Sequence, residues 1–196
     1  MFPADASFTV FDVETTGLAP KSGDRIVEIA GVRVEGGMIR RDRFFVSLVN
    51  PERRMSYEAG RINRISEEEL VHAPTIAEVL PKFLSFAEGT ILVAHNAEFD
   101  QSFLETEKEM CWGYMDIPEC LCTLALSRAV HPRAYRHTLG AVAERLGLAP
   151  SPVSGHRALP DVLLTAEVLL RLITIGDIRS LDALRAKALP GQVAWR

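Results

Sequence analysis

The 196-residue sequence predicts one α/β domain, a mixed five-stranded sheet flanked by helices. Three observations carry that prediction. Two long stretches rich in apolar residues, 25–35 and 38–48, meet at Gly36-Gly37, a tight-hairpin signal, and a third stretch at 7–13 precedes them. Beyond residue 75, helical periodicity alternates with short apolar runs. A hydrophobic content of 47% at this length supplies one sizeable core and needs no second.

Each element has its own signal. In the first strand Phe8, Val10, Asp12 and Glu14 share one face by their spacing of two, while Thr9, Phe11 and Val13 fill the other. Apolar residues on both faces make it an interior strand. Thr15-Thr16-Gly17 followed by Pro20 is turn chemistry that ends it. A helix is expected over 76–87, and Thr90-Ile91-Leu92-Val93-Ala94 reads as a buried strand at 90–95. Asn96 is placed to N-cap the helix 97–109. A fifth strand near 116–122 has to accommodate Pro118. Helices follow at 122–130, 138–147 and 160–174, with Pro160 suited to the first helical position. Residues 1–175 form the domain, and 176–196 a short C-terminal extension. In it Ser180 caps a helix whose Leu181, Leu184 and Ala188 pack back before Pro190 stops it.

Four carboxylates carry the chemistry: Asp12 and Glu14 at the end of the first strand, Asp100 in the first turn of one helix, and Asp161 in the first turn of another. Embedded in apolar sequence, they are costly to fold around without a partner, and two acids at the mouth of a buried strand repel each other. Hard divalent cations, Mg²⁺ or Mn²⁺, are the natural partner for converging oxygen ligands. His156 lies five residues before Asp161, on the loop with Ser154 and Gly155, where it is expected to serve as a general base. Carboxylates, metal and imidazole together suggest metal-assisted hydrolysis of a phosphodiester.

FDVETTG, HNAEFD and HRALPDV, in this order across residues 7–174, resemble the three exonuclease motifs of the DnaQ-like family. Members of that family include the proofreading (epsilon) subunit of bacterial DNA polymerase III. Ile26-Val27-Glu28-Ile29-Ala30, Arg64-Ile65-Ser66 and Ala73-Pro74 extend the likeness. The His-x-x-x-x-Asp spacing of the last motif marks the branch with four acids and a histidine, the DEDDh branch. The resemblance implies a ribonuclease H-like fold and 3′–5′ exonuclease activity releasing 5′-mononucleotides from single-stranded or mismatched DNA. It implies two metal ions about 3.5–4 Å apart, held by Asp12, Glu14, Asp100 and Asp161, with His156 as base. Thr15, Thr16, Leu18, His95, Asn96 and Phe103 are then placed to line the chain-end pocket. Pro160, where a smaller residue is common, and Cys122, before Thr123 where aspartate is frequent, depart from the family pattern without touching the chemistry.

Two other functions share these residues: an RNA-processing exoribonuclease of the ribonuclease T or oligoribonuclease kind, and a non-catalytic nucleic-acid-binding module. The second has no need to keep mutually repelling carboxylates together. A net charge of −4 is unusual for a nucleic-acid binder, but two divalent ions at the four acids bring it close to neutral. Basic groups remain at Arg40-Arg41-Arg43, Arg53-Arg54, Arg61 and Arg64, and Arg133-Ala134-Tyr135-Arg136-His137. Modest basicity argues for a short single-stranded footprint. The three cysteines, Cys111, Cys120 and Cys122, are expected reduced, and their spacing with His131 matches no zinc pattern. With no apolar run of about 18 residues and no basic leader, a cytoplasmic protein is expected, one that reaches any polymerase partner through a separate chain.

Overall fold

A computed structural model of the chain describes residues 6–111, 116–148 and 157–189. Five strands form one sheet: β1 (Phe8–Thr15), β2 (Ile26–Glu35), β3 (Met38–Leu48), β4 (Ile91–Ala94) and β5 (Cys120–Cys122). Their order is β3-β2-β1-β4-β5, so β1 occupies the centre. The first three strands pair antiparallel through a turn in which Gly36 and Gly37 both have positive φ, +58° and +76°, the conformation a two-residue hairpin favours. β4 and β5 run parallel to β1, which makes the sheet mixed. β5 is shorter than the sequence suggests. Residues 116–119 carry no strand, and Pro118 has no N–H to give a ladder.

Eight α-helices surround the sheet among the described residues: α1 (Tyr57–Asn63), α2 (Glu67–Val71), α3 (Ile76–Phe86), α4 (Ala97–Cys111), α5 (Thr123–Val130), α6 (Leu139–Arg145), α7 (Ala158–Ile175) and α8 (Leu181–Ala188). The alternation along β1 divides the core. Phe8 and Val10 join Ala30, Val32 and Val93 under the apolar face of α7, with Val162, Ala166 and Leu169. Phe11 and Val13 face the other layer, with Leu80 and Phe83 of α3 and Phe103 and Leu104 of α4. Leu184 and Ala188 of α8 are buried in the α7 layer, and Ser180 caps that helix by accepting from Ala183 N–H.

α1 and α2 are absent from the sequence-based expectation. They are short, and neither presents a long apolar stripe, which is the feature that periodicity detects. Their caps were nevertheless legible: Ser56 accepts from Ala59 N–H, and Ser66 with Glu69 forms a capping box. α7 begins at Ala158, two residues earlier than Pro160 suggests. Pro160 is tolerated there because N–H groups of a first turn have no intrahelical acceptor. No described helix is long and apolar enough to cross a membrane.

Candidate active site

The row Phe8, Val10, Asp12, Glu14 runs from the core to the carboxyl end of β1, on the face that α7 covers. Asp161, in the first turn of α7, meets it there. One carboxylate oxygen from each of Asp12, Glu14 and Asp161 lies within 4.8 Å of the other two. Asp100 approaches from the first turn of α4, 2% exposed, and accepts a 3.2 Å hydrogen bond from Val13 N–H. That bond ties α4 to β1 at the level of the cluster.

The electrostatics are those of acids short of a cation. Burial, then the charges of Asp100, Glu14 and Asp161, push the Asp12 carboxyl well above the carboxylate range. Burial and the neighbouring Glu28 raise Glu14 to about 8, and burial raises Asp100 to about 7 against the opposing Val13 hydrogen bond. Without a metal the cluster therefore retains protons near neutrality. Several converging, mutually repelling oxygen donors suit a hard divalent ion, whose charge would discharge those protons.

Two buried glutamates that the sequence did not mark as functional hold the framework. Glu28 sits opposite Glu14 in the β1–β2 register, a like-charge pair that is unfavourable by itself. Arg157 answers it. Its Nε and Nη2 donate to the Glu28 carboxylate at 3.1 and 2.7 Å, while Ala158 N–H, opening α7, donates at 2.9 Å. Glu107 of α4 repeats the arrangement with Arg25, at 2.9 and 2.8 Å, and with Ile26 N–H at 3.1 Å. Each helix carrying a site acid is thus clasped to β2 by a buried glutamate, a bidentate arginine and one backbone N–H. The glutamates stood in apolar or helical context, and only the spatial pairing reveals their use.

Beside the cluster lies a pocket of about 230 Å³ lined by Glu14, Thr15, Gly17, Leu18 and Phe99, and by Ser56, Glu58, Ala59, Ile62 and Asn63 of α1 and its cap. Asn63 fixes α1 to the strand end by donating to Thr15 O at 3.0 Å. The turn after β1 is built around Asp24, whose carboxylate accepts from Thr16 Oγ1 at 3.1 Å and Ala19 N–H at 3.0 Å. A Cβ on Gly17 would collide with that carboxylate, so the close approach demands glycine.

Of the six residues expected to line a chain-end pocket, Thr15 and Leu18 line this one, and Thr16, His95, Asn96 and Phe103 do not. Thr16 is buried and bonded to Asp24. Phe103 is fully buried, its ring tilted against that of Phe99 with centroids 5.0 Å apart; Phe99 is the aromatic that lines the pocket, because helical spacing turns position 103 into the core. His95 has both ring nitrogens engaged, with Thr123 Oγ1 and His137 O, each at 2.9 Å. Burial holds it neutral, its pKa lowered to about 4. Asn96 is exposed with φ +65°, outside the pocket lining, and passes its carbonyl to Phe99 N–H. His156, with Ser154 and Gly155, lies outside the described residues. Cys120 and Cys122 are buried free thiols, and burial drives the Cys120 thiol upward, away from the reactive thiolate.

Residues 9–169 match a family profile described as Exonuclease. Similar sequences include the DNA polymerase III subunit epsilon-like protein of Rhodobacter capsulatus, 42% identical over 92% of this chain and 25% of that protein. The DNA polymerase III subunit epsilon of Aquifex aeolicus is 36% identical over 92% of this chain and 90% of its own length. The chain therefore spans a quarter of the first relative and most of the second. Exonuclease X, solved in complex with 5′ overhanging duplex DNA, superposes with a TM-score of 0.74 at 29% identity, over 92% of this chain and 99% of that one.

Proposed function

Because the chain belongs to the DnaQ-like exonuclease family, we propose that it removes 5′-mononucleotides from the 3′ end of single-stranded or mismatched DNA. The observation that carries this reading is the convergence of the Asp12, Glu14 and Asp161 carboxylates, with Asp100 behind them, at the mouth of a partly apolar pocket. Those four acids would hold two Mg²⁺ or Mn²⁺ ions. When bound, such ions lower the pKa of a water and neutralise charge developing on the phosphate.

The remaining work falls to the chain itself. Leu18, Ile62 and Phe99 offer apolar surface to the terminal nucleoside, and the walls from α1 and the turn after β1 favour a frayed end over a paired one. His156 takes the proton of the attacking water. Its neighbour Arg157, fixed to Glu28, sets where the chain enters α7 and hence where Asp161 stands. DNA is favoured over RNA because the relatives are named as DNA polymerase III subunits, and a polymerase in a separate chain is the corresponding partner.

The test is degradation of matched DNA and RNA oligomers, labelled at either end, with Mg²⁺ or with EDTA. Stepwise shortening of 5′-labelled DNA, immediate loss of a 3′ label as mononucleotide, and silence in EDTA are expected. Internal cuts would overturn the reading, and RNA degraded tenfold faster would replace it by RNA trimming.

A further inference from the structure

We infer that the exposed turn carrying Arg133, Tyr135 and Arg136 is a second nucleic-acid contact, gripping the single strand upstream of the bond being cut. The inference rests on the exonuclease reading for its substrate, but its geometry stands separately. Continuing the parallel β1–β4 register, in which Val10 faces Val93, brings His95 level with Asp12, one strand away. One strand spacing is about 4.8 Å. β5 continues the same level, since Ala94 faces Cys122 and the next residue is Thr123. The turn that follows α5 is therefore suspended from the same end of the sheet as the acid cluster.

It is also held firmly. A carbonyl only accepts, so His95 donates from Nε2 to His137 O and accepts from Thr123 at Nδ1. His137 in turn donates from Nε2 to Ala134 O at 3.2 Å and accepts from Ser127 Oγ at 2.9 Å. Ala134 N–H closes the turn on His131 O at 3.0 Å. Two histidines thus bolt the turn to β4 and α5. This explains why His95, beside the site in sequence, spends both nitrogens away from the pocket.

What the turn presents outward is suited to a polyanion with bases. Tyr135 is 94% exposed, and Arg133 and Arg136 are exposed as well. Most arginines elsewhere are spent: Arg25, Arg33, Arg40, Arg41, Arg43, Arg53, Arg157, Arg179 and Arg185 are in ion pairs. Among the described residues Arg133 and Arg136 have no acidic partner. An aromatic between two uncommitted cations combines base stacking, which tolerates any sequence, with phosphate contacts. On a chain of net charge −4, such a local positive site offsets the repulsion of the strand by the acids.

Binding of 5′-fluorescein-labelled dodecathymidylate is measured by anisotropy in Ca²⁺, which is expected to occupy the acids while supporting little turnover, over a series of salt concentrations. Against wild type, the Arg133→Ala/Arg136→Ala pair is expected to raise Kd about tenfold and to reduce the salt slope by about 1.4, two phosphates at 0.7 each. Tyr135→Ala should weaken binding roughly tenfold with the slope unchanged. Arg171→Ala, an exposed arginine late in α7, is the control for a general loss of charge. In Mg²⁺ the turn variants should raise KM for the oligomer and retain kcat. Unchanged Kd and salt slope in the arginine pair would overturn the inference, as would a fall in kcat at constant KM, which would mean the turn only supports the fold. If the wild type binds through the turn but never cleaves, the exonuclease reading fails and this one stands.

Discussion

Replacing Arg157 by methionine removes one half of a clasp whose other half is inaccessible. Glu28 is 2% exposed and Arg157 36% exposed at the side chain. After the substitution Glu28 retains only the Ala158 N–H, opposite Glu14 and near the other acids. Breaking a buried pair by deleting one partner costs about 3–5 kcal/mol. Water reaches the partly exposed arginine position, which places the cost at the lower end, near ~3 kcal/mol. For a chain of this size each kcal/mol is worth about 2–4 °C, so Tm should fall by roughly 6–12 °C. Glu28→Gln/Arg157→Met removes the uncompensated charge as well, and should recover a third or more of that loss. Thermal unfolding of the wild type, both single variants and the double variant at pH 7 gives the coupling directly. A fall of less than 2 °C for Arg157→Met, or strictly additive losses, would refute the clasp as the device that seats α7.

Three further outcomes follow from the site. In metal-free protein the raised values of Glu14 and Asp100, about 8 and about 7, mean that the folded state binds more protons than the unfolded one. Stability is then full below about pH 4 for these groups and is lost as pH rises towards 8, by a few kcal/mol. Tm scans from pH 5 to 8 should decline without metal and flatten with Mg²⁺. Asp12→Ala, Glu14→Ala, Asp100→Ala and Asp161→Ala should each abolish turnover without unfolding the chain, whereas His156→Ala should lose on the order of 10²–10⁴ in rate; an unaltered rate at neutral pH would reassign the base. Gly17→Ala forces the Asp24 carboxylate aside and should lower Tm by several degrees and raise KM, both measurable on the purified variant.

The parts of this fold legible in the sequence are those with a repeating physical signal. The two faces of β1, the Gly36-Gly37 hairpin and the apolar α7 all follow from side-chain period, and the acids at the ends of such elements inherited reliable positions. Short elements escaped. α1 has only seven residues, yet with its cap it supplies about half the pocket wall and the Asn63 bond to Thr15. Pocket residues were legible only where local direction decides the outcome. Leu18 has to leave the strand, but Phe99 and Phe103 are both plausible aromatics until the orientation of α4 is fixed by Asp100 and Glu107. The direction of His95 was not legible for a similar reason. Proximity in sequence to an acid says nothing about a carbonyl 42 residues later that claims its ring. Glu28 and Arg157, 129 residues apart, become a unit only in three dimensions.

Calorimetric titration of Mn²⁺ into the metal-free chain at pH 7 tests, without reference to turnover, whether the four acids form a divalent-metal site. Saturable binding accompanied by proton release is expected, seen as a heat that changes with the ionisation enthalpy of the buffer, because Glu14 and Asp100 hold protons until the metal displaces them. Asp12→Asn should abolish both the binding and the buffer dependence. Equal binding by wild type and Asp12→Asn, or no binding by the wild type, would contradict such a site.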